Sequence, residues 1–264
     1  MDTEEWTRRG SSFGAVAAAY AEHRPDYPAD AVRWCVAPTG RELAGLRVLD
    51  LGAGTGKLTA VLTALDADVT AVEPDEAMLA ELRRRLPSAR ALAGPAEAIP
   101  LADGSVDAVL CGQSLHWFDM SRAIPEIARV LVPGGTLGAL WNSDDDRVGW
   151  VDGLAAVAQE AGSPLLSSRR AEADAFGREQ FGTGLFSPTE RAEFPNAQAR
   201  TADSLLATLR THSAVLVMDP AKRDRLLGQI RDYLASTPET SSGQFELPMV
   251  TSVLRSVREG KGKV

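Results

Sequence analysis

Cysteine is nearly absent from this chain of 264 residues: only Cys35 and Cys111 occur, far apart and with no C-x-x-C spacing. That excludes a disulfide framework and a cysteine-held zinc site, and the apolar company of both thiols fits burial. Histidine is almost as scarce. His23, His116 and His212 have no ligand spacing among themselves or to the acids, so no metal centre is expected, and Asp144-Asp145-Asp146 reads as a solvated loop. No apolar run is long enough to span a bilayer, and the opening MDTEEWTRRG lacks the apolar core of a secretory signal. A cytoplasmic protein without a membrane partner is expected. Basic charge is also in deficit, with 28 Lys plus Arg against 36 Asp plus Glu and a formal net charge of -8. Such a surface repels a phosphate backbone, so no nucleic-acid partner is expected. Arg83-Arg84-Arg85 and Arg169-Arg170 read as solvated helix faces.

With 44% hydrophobic residues the chain can bury one large, elaborated domain. Short apolar runs alternate with helical patterns, the mark of an α/β, doubly wound, mostly parallel sheet. The expected strands are 47–51, 68–73, 90–94, 106–111 and 136–142. Helices are expected at 57–65, 75–86 and 122–131, the last stopped by Pro133-Gly134-Gly135. Ahead of the first strand, helical patterns at 11–22 and 29–36 flank the punctuated segment HRPDYP. After Asn142 the rhythm loosens: helices at 148–161, 201–210 and 220–235, and strands at 191–195 and 245–253.

The stretch VLDLGAGTGKLT carries the chemistry. A strand turning into a helix through bare backbone lets a ligand lie against the main chain at the carboxyl edge of a sheet. The dinucleotide fingerprint fails, because Lys57 stands where its last glycine belongs; a phosphate-binding P-loop fails at Leu51 and Leu58. What remains is D-x-G-x-G-x-G, from Asp50 through Gly52 and Gly54 to Gly56. An acid at its head suits a ligand's ammonium group, directly or through water. Glu73 ends the next strand, where a carboxylate accepts from both hydroxyls of an unphosphorylated ribose. The ligand predicted is a nucleoside bearing an amino acid.

In these residues, and in VTAVEPDEAML, GPAEAIPLADGSVDAVLCGQSLHWFD and RVLVPGGTLGALWN, the chain resembles class I S-adenosylmethionine-dependent methyltransferases over Ser11 to Asn142. The resemblance implies a seven-stranded Rossmann-like sheet, S-adenosyl-L-methionine as cofactor and S-adenosyl-L-homocysteine as product. It implies that the glycine loop carries the methionyl part, Glu73 the ribose, Pro74 and Met78 the adenine face, and the backbone at Ala96 and Glu97 the adenine edge. Pro95 stands where many relatives place a side-chain donor or acceptor, so backbone contacts are expected there. The leader, with Phe13, Tyr20, Arg24, Pro25, Tyr27 and Pro28, is similar to the first helices of the trans-aconitate methyltransferase group. This implies a lid, with Tyr20 and Arg24 on one side and Arg24 pairing with the methionyl carboxylate. The implied organisation is a helical lid over 1–40, a cofactor-binding core over 41–142, acceptor-binding insertions with the last strands over 143–258, and a disordered tail at 259–264.

Methyl transfer from a sulfonium is an in-line displacement that needs alignment in a dry pocket more than an acid or base. Residues 113–119 follow the fourth strand and are expected beside the reacting methyl, with Gln113 on the cofactor side. His116 has two readings: a base or orienting group for the acceptor, or a packing residue in the floor with Trp117 and Phe118. The acceptor pocket is expected to include Tyr27, Trp117, Trp141, Asn142 and His212, with Phe176, Phe181, Phe186 and Met218 as further wall candidates. The expected partner is a small-molecule acceptor methylated on oxygen, nitrogen or carbon, a carboxylate or natural-product intermediate among the candidates, and the protein a monomer or homodimer. Two alternatives remain open: an RNA or protein methyltransferase, and a non-catalytic S-adenosylmethionine-binding regulator.

Overall fold

Five apolar runs, β1 (Arg47–Leu51), β2 (Asp68–Glu73), β3 (Arg90–Ala93), β4 (Val106–Gly112) and β5 (Leu131–Asp144), form the parallel part of one sheet. This computed structural model describes residues 25–160, 184–210, 215 and 218–260. Two long antiparallel strands, β6 (Glu190–Thr201) and β7 (Gln244–Val257), complete seven strands in the order β3-β2-β1-β4-β5-β7-β6. The chain leaves β1 toward β3 and returns to β4 on β1's other side. That reversal opens a crevice at the carboxyl ends of β1 and β4.

Both faces of the central strands are covered, which is why they read as continuous apolar runs rather than as alternation. Leu49, Leu51, Val109 and Cys111 point into one cluster with Ile124 and Ile127 of α4 (Met120–Val130). Val48, Ala108 and Leu110 point into the other. There they meet Ala31, Val32 and Cys35 of α1 (Ala29–Val36), and Leu58 and Leu62 of α2 (Lys57–Ala64). Helix α3 (Glu76–Arg85) starts where Asp75 Oδ1 accepts the N–H groups of Ala77 and Met78, each at 2.9 Å. Beyond the parallel core, α5 (Gly149–Glu160), α6 (Ala202–Arg210) and α7 (Pro220–Ser236) enclose a third cluster against Phe245, Leu247 and Met249 of β7. No described helix is long and apolar enough to cross a membrane.

Three expectations about local structure need correction. Helix α4 ends at Val130, before Pro133-Gly134-Gly135, which form a bulge inside β5. There the pairing with β4 jumps from Val106↔Leu131 to Ala108↔Thr136, and Gly134 takes φ +80°. Strand β6 runs through Pro195 to Thr201, well past the predicted stop. A proline is tolerated because β6 lies at the edge of the sheet, where one side of the strand needs no ladder donor. Ser143 and Asp144 extend β5 instead of opening the loop, and Asp145 is clamped by the Arg147 guanidinium at 2.6 and 2.8 Å. No group of acids, cysteines and histidines among the described residues is arranged to hold a metal.

Candidate active site

The crevice at the β1/β4 switch point is a cavity of about 550 Å³, within the range of small-molecule sites. Its floor is the glycine loop. Gly52, Gly54 and Gly56 all take positive φ, +70°, +55° and +86°. Gly52 is required twice over, since a Cβ would also stand 2.6 Å from Ser114 Cβ and 3.2 Å from Phe118 Cζ. Gly54 lines the cavity, and a Cβ there would meet no protein atom within 4 Å, so the loop offers bare backbone to open space. The turn is fixed from behind: Gly52 and Ala53 donate to the Val72 carbonyl at 2.9 and 3.1 Å.

Two buried carboxylates stand at this floor. Asp50 is 1% exposed and accepts the Thr59 hydroxyl at 2.6 Å. Burial pushes its carboxyl up to about 7, opposed by the Thr59 bond and aided by the charge of Glu73. Glu73 is also raised by burial, but its two oxygens accept the N–H of Asp75 at 2.9 Å and of Gly54 at 2.8 Å. These bonds aim the carboxylate across the glycine loop and leave a lone pair on each oxygen for a ligand diol. With Asp75 and Glu97 the wall holds four acids, against Lys57 as its single basic side chain among the described residues. A ligand with a cationic portion suits that balance.

The opposite wall is built by β4 and the turn leading from it into α4. Gln113 takes φ +57°, a left-handed conformation uncommon for a residue with a side chain. Its N–H donates to the Leu140 carbonyl and its Nε2 to the Asn142 carbonyl, both at 2.9 Å. Ser114 Oγ donates to the Leu51 carbonyl at 2.7 Å, stitching the two strand ends together. Trp117 and Phe118 then close that side. Glu97 accepts the Asp119 N–H at 2.7 Å and so joins the loop after β3 to the start of α4. Arg129 holds the same loop through the carbonyls of Ile99 and Leu101 at 2.9 and 2.8 Å.

The cavity thus brings together Tyr27, Asp50, Gly52, Gly54, Glu73, Pro74, Met78, Ala96, Glu97, Gln113, Trp117 and Asn142 of the predicted set. Gly56 acts from behind, as the left-handed residue that starts α2. Trp141 is not in the wall: it is 1% exposed inside the apolar cluster beneath the sheet, because alternation along β5 turns it away from Asn142. Phe186 belongs to the same cluster, and Met218 packs on the C-terminal helical cluster. His116 lies on the turn Leu115–Trp117 and does not line the cavity; its ring tilts against Trp117 with centroids 5.0 Å apart. The packing reading of His116 fits this placement. Tyr20, Arg24, Phe176, Phe181 and His212 lie outside the described residues.

Sequence reasoning missed Asp75 and Lys57 as parts of the site and placed Ser114 there only within the 113–119 segment, without a role of its own. Lys57 was visible only as a departure from a fingerprint, whereas its Nζ pairs with Asp26 at 3.0 Å. Ser114 carried no signal of its own, since its partner Leu51 is 63 residues away.

Residues 49–139 match the family described as methyltransferase domain. An uncharacterised methyltransferase of Mycobacterium tuberculosis is 39% identical over 246 residues, 93% of this chain and 95% of that protein. The chain belongs to the class I S-adenosylmethionine-dependent methyltransferases. An uncharacterised methyltransferase-like protein of Schizosaccharomyces pombe is 30% identical over 94% of this chain and 96% of its own length. Among solved structures, one assigned as a type II methyltransferase of Anaeromyxobacter dehalogenans superposes with a TM-score of 0.62 at 25% identity, covering 89% of this chain and 97% of that one. The family's sheet is therefore the sheet described above.

Proposed function

We propose that the cavity binds S-adenosyl-L-methionine along the glycine loop and that the enzyme moves its methyl group to a small-molecule acceptor. The observation carrying this reading is the pairing of bare backbone at Gly54 with the buried, backbone-anchored carboxylate of Glu73 in one cavity of suitable size. In this reading Glu73 accepts from the ribose hydroxyls. Pro74 and Met78 give the adenine an apolar face, and the main chain at Ala96 and Glu97 meets its edge. Asp50, raised by burial to about 7, supplies negative potential below the methionyl end in its ionised form, which a cationic ligand favours. The bound cofactor supplies an electrophilic methyl carried on a sulfonium.

Gln113, Trp117 and Phe118 then exclude water and hold the acceptor wall. Alignment in such a site supplies much of the acceleration. In this reading His116, on a turn outside the lining with its ring against Trp117, supports that wall and takes no proton. A malonyl-[acyl-carrier protein] O-methyltransferase of Methylococcus capsulatus is 39% identical over 151 residues, but only 52% of each chain is covered, so its acceptor is not carried across. The four acids of the wall favour an uncharged or cationic acceptor over a polycarboxylate.

Calorimetric titration with S-adenosylhomocysteine tests the cofactor site. Micromolar affinity is expected for the wild type, weakened about 10- to 100-fold in Glu73→Gln, the scale of losing hydrogen bonds to a charged group. Equal affinity in both proteins would remove Glu73 from the site.

A further inference from the structure

Asn196, on the edge strand β6, does not line the cavity, yet it reaches the segment that walls it. Residues 25–28 lead into α1, and Pro25 and Tyr27 form part of the cavity wall. Tyr27 seats against β4 where Gly112 has no side chain: a Cβ there would stand 2.7 Å from the Tyr27 hydroxyl. Between Pro25 and Tyr27, the Asp26 carbonyl accepts two amide donors, Asn196 Nδ2 at 3.0 Å and Asn142 Nδ2 at 3.2 Å. The Asp26 carboxylate pairs with Lys57 at 3.0 Å, directly after the glycine loop.

The two carboxamides are themselves oriented. Thr251 of β7 donates to Asn142 Oδ1 at 2.5 Å, and Asn196 Nδ2 also approaches that oxygen at 3.2 Å. With its oxygen committed to β7, the Asn142 amide has its nitrogen turned toward Asp26. Asn142 and Thr251 are 1% and 0% exposed, so the bond between them forms out of reach of competing water, while the Asn196 bond to the Asp26 carbonyl lies at the surface. The Asp26 carboxylate is 68% exposed, and an ion pair that exposed contributes less than the carbonyl bond to the buried Asn142. The carbonyl clamp therefore holds the segment, and Lys57 registers it on the loop.

We propose that Asn196 is a positioning residue which, with Asn142 oriented by Thr251, latches the 25–28 segment over the cavity and so controls the rate at which cofactor leaves. The proposal rests on the cofactor site assigned above. It gives the C-terminal antiparallel strands a part in a site otherwise built from the parallel core. It also gives Asn142 a part in the latch: one N–H of its amide is committed to the Asp26 carbonyl.

The test is Asn196→Asp, which keeps the shape, loses both donors and sets an oxygen against the Asp26 carbonyl. Thr251→Val serves as a second variant that releases the Asn142 amide without touching the segment. Stopped-flow dissociation of S-adenosylhomocysteine and hydrogen exchange at the Asp26 and Tyr27 amides are the two readouts. Dissociation about tenfold faster is expected for Asn196→Asp, with a smaller increase for Thr251→Val, and faster exchange at both amides in each. Unchanged dissociation in both variants overturns the proposal, whether or not exchange rises, and unchanged exchange overturns the latch itself. Absence of S-adenosylhomocysteine binding to the wild type would instead bring down the cofactor assignment, and with it the gating of that ligand.

Discussion

Gly52 shows how little freedom a single position of the loop has. Its φ of +70° is one that a residue with a Cβ rarely adopts, and the space a Cβ would need is filled by Ser114 and Phe118. Ser114 cannot yield easily, because its hydroxyl ties β4 to the Leu51 carbonyl. Gly52→Ala is expected to cost about 2–3 kcal/mol of stability from strain and overpacking together, read as a lower urea midpoint with an unchanged slope. An unchanged midpoint would mean that the loop relaxes around the methyl group.

At the scale of elements, the loop between β3 and β4 buries Ala96 and Ile99 in the core and is held further by polar bonds from α4. Arg129 binds the Ile99 and Leu101 carbonyls, Asp103 at 2.8 Å and Glu126 at 2.7 Å, while Glu126 accepts the Ile99 N–H at 2.9 Å. The same loop presents Pro95, Ala96 and Glu97 to the cavity. Arg129→Met keeps the apolar stem and removes every one of these donors. Such a variant is expected to lose about 2 kcal/mol of stability and to bind S-adenosylhomocysteine several-fold more weakly, although Arg129 itself is outside the wall. Calorimetry beside urea unfolding separates the two effects; a fall in stability with full affinity would show that the loop keeps its shape without the arginine.

For the whole molecule, pH dependence arises from which carboxylates burial has raised. Asp50 titrates near 3.8 when unfolded and near 7 when folded, so between those values the folded state holds the extra proton. Stability from this group is complete below about pH 4, falls as pH rises through 7 and is then lost. Glu73 acts in the same direction, whereas Asp107 and Glu126, lowered by Arg47 and Arg129, contribute stability that is lost on acidification. The urea midpoint is therefore expected to drop between about pH 5 and pH 7, and to drop less in Asp50→Asn. Equal drops in the two proteins would show that Asp50 titrates near its ordinary value.

The parallel core, the glycine turn and the candidate cofactor residues from Asp50 to Glu97 were legible in the order of residues, because each is a local pattern: an apolar run of strand length, a glycine where φ turns positive, an acid at a strand end. What only the tertiary structure decided lies between distant segments. Trp141 and Asn142 are adjacent in sequence, yet the pleat sends one into the core and the other to the cavity. The length of β6 was hidden by Pro195, harmless only because sheet order places it at an edge. Asp26 and Asn196 stand 170 residues apart, and no periodicity links them. Spacing along a chain reports which residues share an element; which elements share a hydrogen bond is settled only when the sheet is laid down.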